Sequence, residues 1–222
     1  MCQQRHAGGI SLTMKYECRI IGVNPLWISV LLVGAFLPVC AFGGNGINWG
    51  YLGFEVIFPF YASIAVGEWC KTRTDPMFDV ISAQGRFLFS WILRRFALLS
   101  GMICAFAFIG MIGVSTIIGE NSFLDMACAF LPTAFVLSSA CVFISLLSNI
   151  PHIPTMAVGV VWLFSIMSMS LLRFPPMQCI YLFARYAGVE DTIWIVNKII
   201  LTSVGGALWI GIFLCCKNRL WE

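Results

Sequence analysis

One carboxylate interrupts the apolar stretches of this 222-residue chain: Glu55 is the single acidic side chain inside a segment expected to cross a bilayer. A charge at membrane depth is costly and marks a functional candidate. Glu55 is expected near the outer end of its span, where water or headgroups reach it. An interfacial or helix-packing role is therefore expected ahead of ion coupling. The two histidines, His6 and His152, fall outside every predicted span. An intramembrane serine protease needs an embedded Ser with an embedded His, and a metalloprotease needs a His-Glu-x-x-His helix; the sequence has neither. His152, between Pro151 and Pro154, reads as a solvated turn residue. The ten cysteines are scattered apart from Cys215-Cys216 and contain no CxxC. Most sit in apolar runs and read as packing residues rather than metal or redox ligands; a lipid acceptor is a second reading for the terminal pair. No glycine-rich phosphate loop with its Lys and Ser/Thr occurs, so the chain alone is expected not to hydrolyse ATP. No enzymatic activity, metal or cofactor is expected.

The elements that must position these residues follow from composition. Sixty per cent of the chain is hydrophobic and 10% charged, with mean hydropathy +0.92. Soluble domains carry about 25% charged residues, so a nucleic-acid-binding module, a disulfide-stapled secreted domain and an ordinary soluble enzyme are excluded. The expected class is an all-α polytopic membrane protein. A helix needs about 20 apolar residues to cross the hydrocarbon core. Cutting the chain at charges and turn formers leaves six spans, near residues 25–42, 50–67, 96–118, 126–148, 154–172 and 195–216. Residues 1–24 form a tail with an interfacial helix after Met14, itself a candidate start, and residues 217–222 a short second tail. No signal peptide is expected, because the first apolar run leads into a full span without a cleavage pattern.

Six spans put both termini on one side. With the N-terminus cytoplasmic, ten basic residues lie inside: Arg5, Lys15, Arg19, Lys71, Arg73, Arg86, Arg94, Arg95, Lys217 and Arg219. Only Arg173, Arg185 and Lys198 lie outside, an asymmetry that obeys the positive-inside tendency. Trp27, Trp49, Trp194, Trp209 and Trp221 fall near span ends and read as an interface belt. Gly101, Gly110 and Gly113 in span three permit close helix approach.

The longest cytoplasmic connection, residues 68–95, is amphipathic in two pieces. Met77, Phe78, Val80 and Ile81 recur at helical spacing, with Gly85 as a stop; Phe87, Leu88, Trp91 and Ile92 then approach span three. Gly67-Glu68, Arg73-Thr74, Phe78-Asp79-Val80-Ile81-Ser82, Arg86 and Arg94-Arg95 resemble the first cytoplasmic loop of permease subunits of type-2 ATP-binding-cassette exporters. The chain has Gln84-Gly85 where many members place a proline. Six spans with cytoplasmic termini and a semi-apolar outer segment, Phe174 to Tyr186, are also similar to that family. The resemblance implies a coupling helix that docks into a separate ATPase subunit through Glu68, Arg73, Phe78, Asp79, Ile81 and Arg86. It further implies a second permease subunit, identical or related, and residence in a bacterial cytoplasmic membrane. Nucleic acid is not an expected partner. The competing readings are a substrate-capturing membrane subunit of an uptake system, and an assembly or immunity protein that transports nothing.

Overall fold

The computed structural model describes residues 24–43, 46–70, 88–118 and 123–218, and among them the only regular structure is helical. Six helices are long and apolar enough to cross a membrane: α1 Asn24–Phe42, α2 Gly46–Trp69, α3 Leu88–Ile118, α4 Phe123–Leu147, α5 Ile153–Arg173 and α6, which runs from Asp191 to Asn218. The protein is an all-α polytopic membrane protein. The N-terminal tail and the residues Arg73, Phe78, Asp79, Ile81 and Arg86 of the expected coupling loop lie outside the described residues.

Helix α4 is the centre of the bundle. It packs on α2, α5 and α6, while α1 packs against α3. The α1–α3 approach depends on two of the glycines singled out from sequence. A Cβ on Gly110 would meet Phe54 Cζ at 2.9 Å and Val33 Cγ2 at 3.0 Å, and one on Gly113 would meet Leu37 Cδ2 at 2.8 Å. Gly101 faces open space.

Three helix starts differ from the sequence expectation by four residues or more. Helix α3 begins at Leu88 rather than 96, because Leu88, Ile92, Phe96 and Leu99 recur every three or four residues and bury a stripe against Val66, Leu146 and Ile212. Within that first part Arg95 is buried and its guanidinium lies 4.0 Å from the Trp91 ring centroid, so its charge is stacked on an aromatic face. Helix α2 begins at Gly46 rather than 50. Helix α6 begins at Asp191, which takes Lys198 out of the outer loop and into the span. That leaves Arg173 and Arg185 as the basic residues of the expected outer count.

Between α5 and α6 the chain does not simply cross the surface. A one-turn helix Pro175–Gln178 follows the 3₁₀ turn that ends α5. The chain then folds back so that Tyr181, Leu182, Phe183 and Ala184 are buried against α2, α4 and α6. Four consecutive buried residues outside a helix are unusual for a connection, since their backbone polar groups need partners.

Candidate functional site: a buried ion pair under the α5–α6 segment

The partners of that segment come from Glu55. Pro59 lacks a backbone N–H and its ring crowds the carbonyl four residues earlier, which is Glu55 itself. The helix responds by widening into a π turn over Leu52–Ile57, closed by Phe58 N–H donating to Gly53 O. Such turns free a carbonyl and re-aim side chains. The Val56 carbonyl is taken by Trp162 Nε1 of α5 at 2.9 Å. The Glu55 carboxylate is turned inward, about 14 Å along α2 from Gly46 at 1.5 Å per residue.

Glu55 is 0% exposed and Lys198 6% exposed. Lys198 Nζ donates to Glu55 Oε1 at 2.6 Å, to Thr133 Oγ1 at 3.0 Å and to the Leu182 carbonyl at 3.3 Å, so all three ammonium protons have acceptors. Glu55 Oε1 also accepts from Arg185 N–H at 3.1 Å, and Oε2 from Tyr186 N–H at 2.5 Å. A buried charge pair persists only when such extra hydrogen bonds satisfy the remaining valences. Thr133 Oγ1 lies 3.0 Å from Ala129 O and 3.1 Å from Leu182 O, so its one hydroxyl proton has two neighbouring acceptors. Asn197 Nδ2 donates to the Gln178 and Tyr181 carbonyls at 3.0 and 2.8 Å. The α5–α6 segment is thus fastened to the bundle by charged and polar groups from α2, α4 and α6, acting on its backbone.

A second ion cluster covers the first. The Arg185 guanidinium pairs with Asp191, and through Nη2 with Asp125 Oδ2 at 3.1 Å, and its Nε faces Tyr51 Oη at 3.4 Å. It also stacks over Tyr51 and Trp194, 5.6 and 5.1 Å from their ring centroids. Burial works against the charged guanidinium, yet its hydrogen bonds to Tyr51 and Asp191 outweigh that and hold its pKa above the ordinary arginine value. Burial pushes the Tyr181 hydroxyl up to about 12, with Glu55 and Tyr186 adding to the rise, so this phenol is neutral at physiological pH.

These positions correct the sequence reading at several points. Glu55 is not interfacial: the span starts earlier than expected and the α5–α6 segment lies over the carboxylate, so water does not reach it. The packing half of that expectation stands. Lys198, counted as an outer loop charge, is its counter-ion. Trp194 is buried beside Arg185, and Trp209 donates to Ser139 Oγ at 3.0 Å while packing edge-on against Phe96. Neither belongs to an interface belt, whereas Trp27 and Trp49 are exposed near helix ends. Cys40, Cys70, Cys141 and Cys216 are buried among apolar side chains, which leaves Cys216 poorly placed as a lipid acceptor. Among the described residues no group of three or more His, Cys, Asp or Glu side chains is close enough to hold a metal ion.

At the other end of α2, Glu68 is the one described member of the expected coupling set. Its Oε1 lies 3.0 Å from His152 Nδ1, and the two side chains are 31% and 63% exposed. His152 is therefore solvated but not idle. It sits at φ 72° immediately before α5, and its carbonyl accepts from Met156 N–H and Thr155 Oγ1, both at 2.9 Å. A non-glycine residue held in the left-handed region fixes the sharp entry into α5.

Comparison of the chain with protein-family models, with curated proteins and with solved structures found no match.

Proposed function

We propose that this chain is the permease subunit of an ATP-binding-cassette exporter of the type-2 family, in which the α5–α6 segment is the outer gate. The observation that carries the reading is that one helix touches both working parts. Glu68, where the expected coupling loop begins, lies in the last turn of helix α2, and thirteen residues earlier Glu55 of the same helix holds the backbone of the α5–α6 segment. That separation is about 20 Å along the axis. A push on the loop by an ATPase tilts or slides the Phe58–Trp69 part of α2 and pulls on the π turn at Leu52–Ile57, the natural point of give, in which Glu55 sits. Motion of Glu55 by an ångström or two breaks its hydrogen bonds to the Arg185 and Tyr186 amides and frees the segment. The Glu68–His152 contact passes the same displacement to α5. On this reading the termini and residues 68–95 face the cytoplasm of a bacterium, the ATPase is supplied in trans, and a second permease subunit, identical or related, completes the path. The chain itself hydrolyses no ATP.

The test is purification of the tagged chain from its own membrane. A stoichiometric ATPase with Walker motifs is expected, with ATP hydrolysis by the complex and none by the chain alone. Phe78→Ala and Arg86→Ala, in the loop, should lose the ATPase, since truncating an interface hot spot commonly costs at least about 2 kcal/mol. Gly101→Ala, which faces open space, should retain it. Recovery of no ATPase, or full recovery in both loop variants, defeats the proposal and favours a non-transporting assembly or immunity protein.

A further inference from the structure

Among the described residues three buried side-chain polar atoms have no hydrogen-bond partner, and two of them belong to residues that touch the α5–α6 segment: Trp194 Nε1 and Asn197 Oδ1. The two residues are three apart on α6 and share a face. Trp194 is buried in a cluster with Ala184 and Val189 of the segment and Ala129 of α4. Its ring lies under the Arg185 guanidinium, yet its N–H donates to nothing. Asn197 is buried as well. One half of its amide grips the Gln178 and Tyr181 carbonyls, while the oxygen of the same amide accepts nothing.

Buried polar groups without a partner are rare in native folds, and strain kept for a purpose is one of their explanations. Both atoms are fully covered while the segment is in place, so water does not relieve them. An unpaired buried donor or acceptor weakens the state that buries it by about tenfold. Two such atoms therefore work against closure, while the bonds from Glu55, Lys198 and Asn197 to the segment backbone work for it. Lifting the segment breaks those bonds and spares the Glu55–Lys198 contact, which joins α2 to α6. It also lets water reach the indole N–H and the amide oxygen. Closure is a balance of local terms, and segments held that way open without unfolding the rest of the chain.

We propose that the α5–α6 segment is a strap with a second, lifted position that the chain reaches by itself, and that the unpaired Trp194 N–H and Asn197 oxygen bias it toward lifting. Use of that motion as a gate rests on the permease reading. The lifting itself needs no ATPase, so it is tested on this chain alone.

The test is hydrogen–deuterium exchange of the full chain in mild detergent, without nucleotide or partner, read at the amides of Arg185, Tyr186 and Val189. In the wild type these should exchange through a local opening whose rate does not change with urea below the unfolding transition, whereas amides at the centre of α4 speed up with urea. Trp194→3-benzothienylalanine keeps the bicyclic outline and puts a sulfur where the N–H was. It should slow the three amides by about tenfold, the effect of removing one buried unpaired donor. Loss of packing alone gives the opposite sign. Asn197→Ala, which removes both grips on the segment, should speed them. Unchanged or faster exchange in the benzothienyl variant overturns the proposal, as does wild-type exchange of the segment that follows the unfolding of α4. Where the benzothienyl variant does not fold, the urea dependence of the wild type decides.

Discussion

Replacing Lys198 with methionine keeps the length of the side chain and removes its charge from a site where Glu55 has no other cation within hydrogen-bonding distance among the described residues. At 2.6 Å and an effective dielectric of about 20, the attraction lost is about 6 kcal/mol. Desolvation of the two ions offsets much of that in the wild type, so the measured loss is governed by the uncompensated carboxylate left behind, about 3–5 kcal/mol. Glu55 keeps the amides of Arg185 and Tyr186, which places the expected value near the lower end, about 3 kcal/mol. For a chain of this size that is a fall in Tm of roughly 6–12 °C. Glu55→Gln should cost a similar amount, because Lys198 then keeps only Thr133 and Leu182 as strong acceptors. The double variant buries no charge and should be less destabilised than the sum of the two, by at least about 1 kcal/mol. Denaturant unfolding in detergent, followed by tryptophan fluorescence, measures all four corners of the cycle. The loss should persist in high salt, since a buried pair is little screened. A Lys198→Met protein within about 0.5 kcal/mol of wild type, or an additive cycle, refutes the reasoning.

Three further substitutions test the parts around the pair. Gly110→Ala forces a Cβ against the buried Phe54 ring and should cost about 1–3 kcal/mol; Gly101→Ala on the same helix should instead stabilise by up to about 1 kcal/mol, and equal effects in unfolding experiments would contradict the packing described. Trp162→Phe keeps the stack on Phe60, now 4.3 Å between centroids, but orphans the Val56 carbonyl, so about 1–3 kcal/mol should be lost. Pro59→Ala restores the N–H that the Glu55 carbonyl lacks, lets the π turn relax to α and rotates the carboxylate off its partners. Its loss in the same assay should match that of Lys198→Met and not add to it.

The six spans were legible because hydropathy reports length and charge directly, and the two close-packed glycines were legible because small residues at helix spacing have few other uses. The pair was half legible. Glu55 stood out as a lone acid, and a cation at matching depth exists on the sixth span; the signal was obscured because Asp191, a helix-starting residue, was read as loop and Lys198 with it. An acidic side chain in a first turn, as Asp191 is in α6, is a start signal that would have moved the boundary. The burial of Tyr181–Ala184 was not legible, since a mixed aromatic and polar segment reads alike whether it lies on the surface or folds back. Trp194 and Trp209 misled for the related reason that a tryptophan near a span end has the same composition signal whether it faces headgroups or a buried arginine. The helix widening at Leu52–Ile57 left only Pro59 as a trace, and a proline inside a span announces a disturbance without giving its direction.

The central claim is that the α5–α6 segment is a gate latched by Glu55 and released through α2 when a partner ATPase turns over. Hydrogen–deuterium exchange on the purified complex, read on the peptides covering residues 181–190, addresses it without knowledge of the cargo. With nucleotide absent, the amides of Arg185 and Tyr186, held by the Glu55 carboxylate, should be protected. With ATP and vanadate they should exchange at least about tenfold faster, which corresponds to about 1.4 kcal/mol of lost protection, while peptides at the centre of α4 stay unchanged. Equal protection of residues 181–190 in the nucleotide-free and trapped states would show the segment to be a fixed part of the fold and would contradict the account.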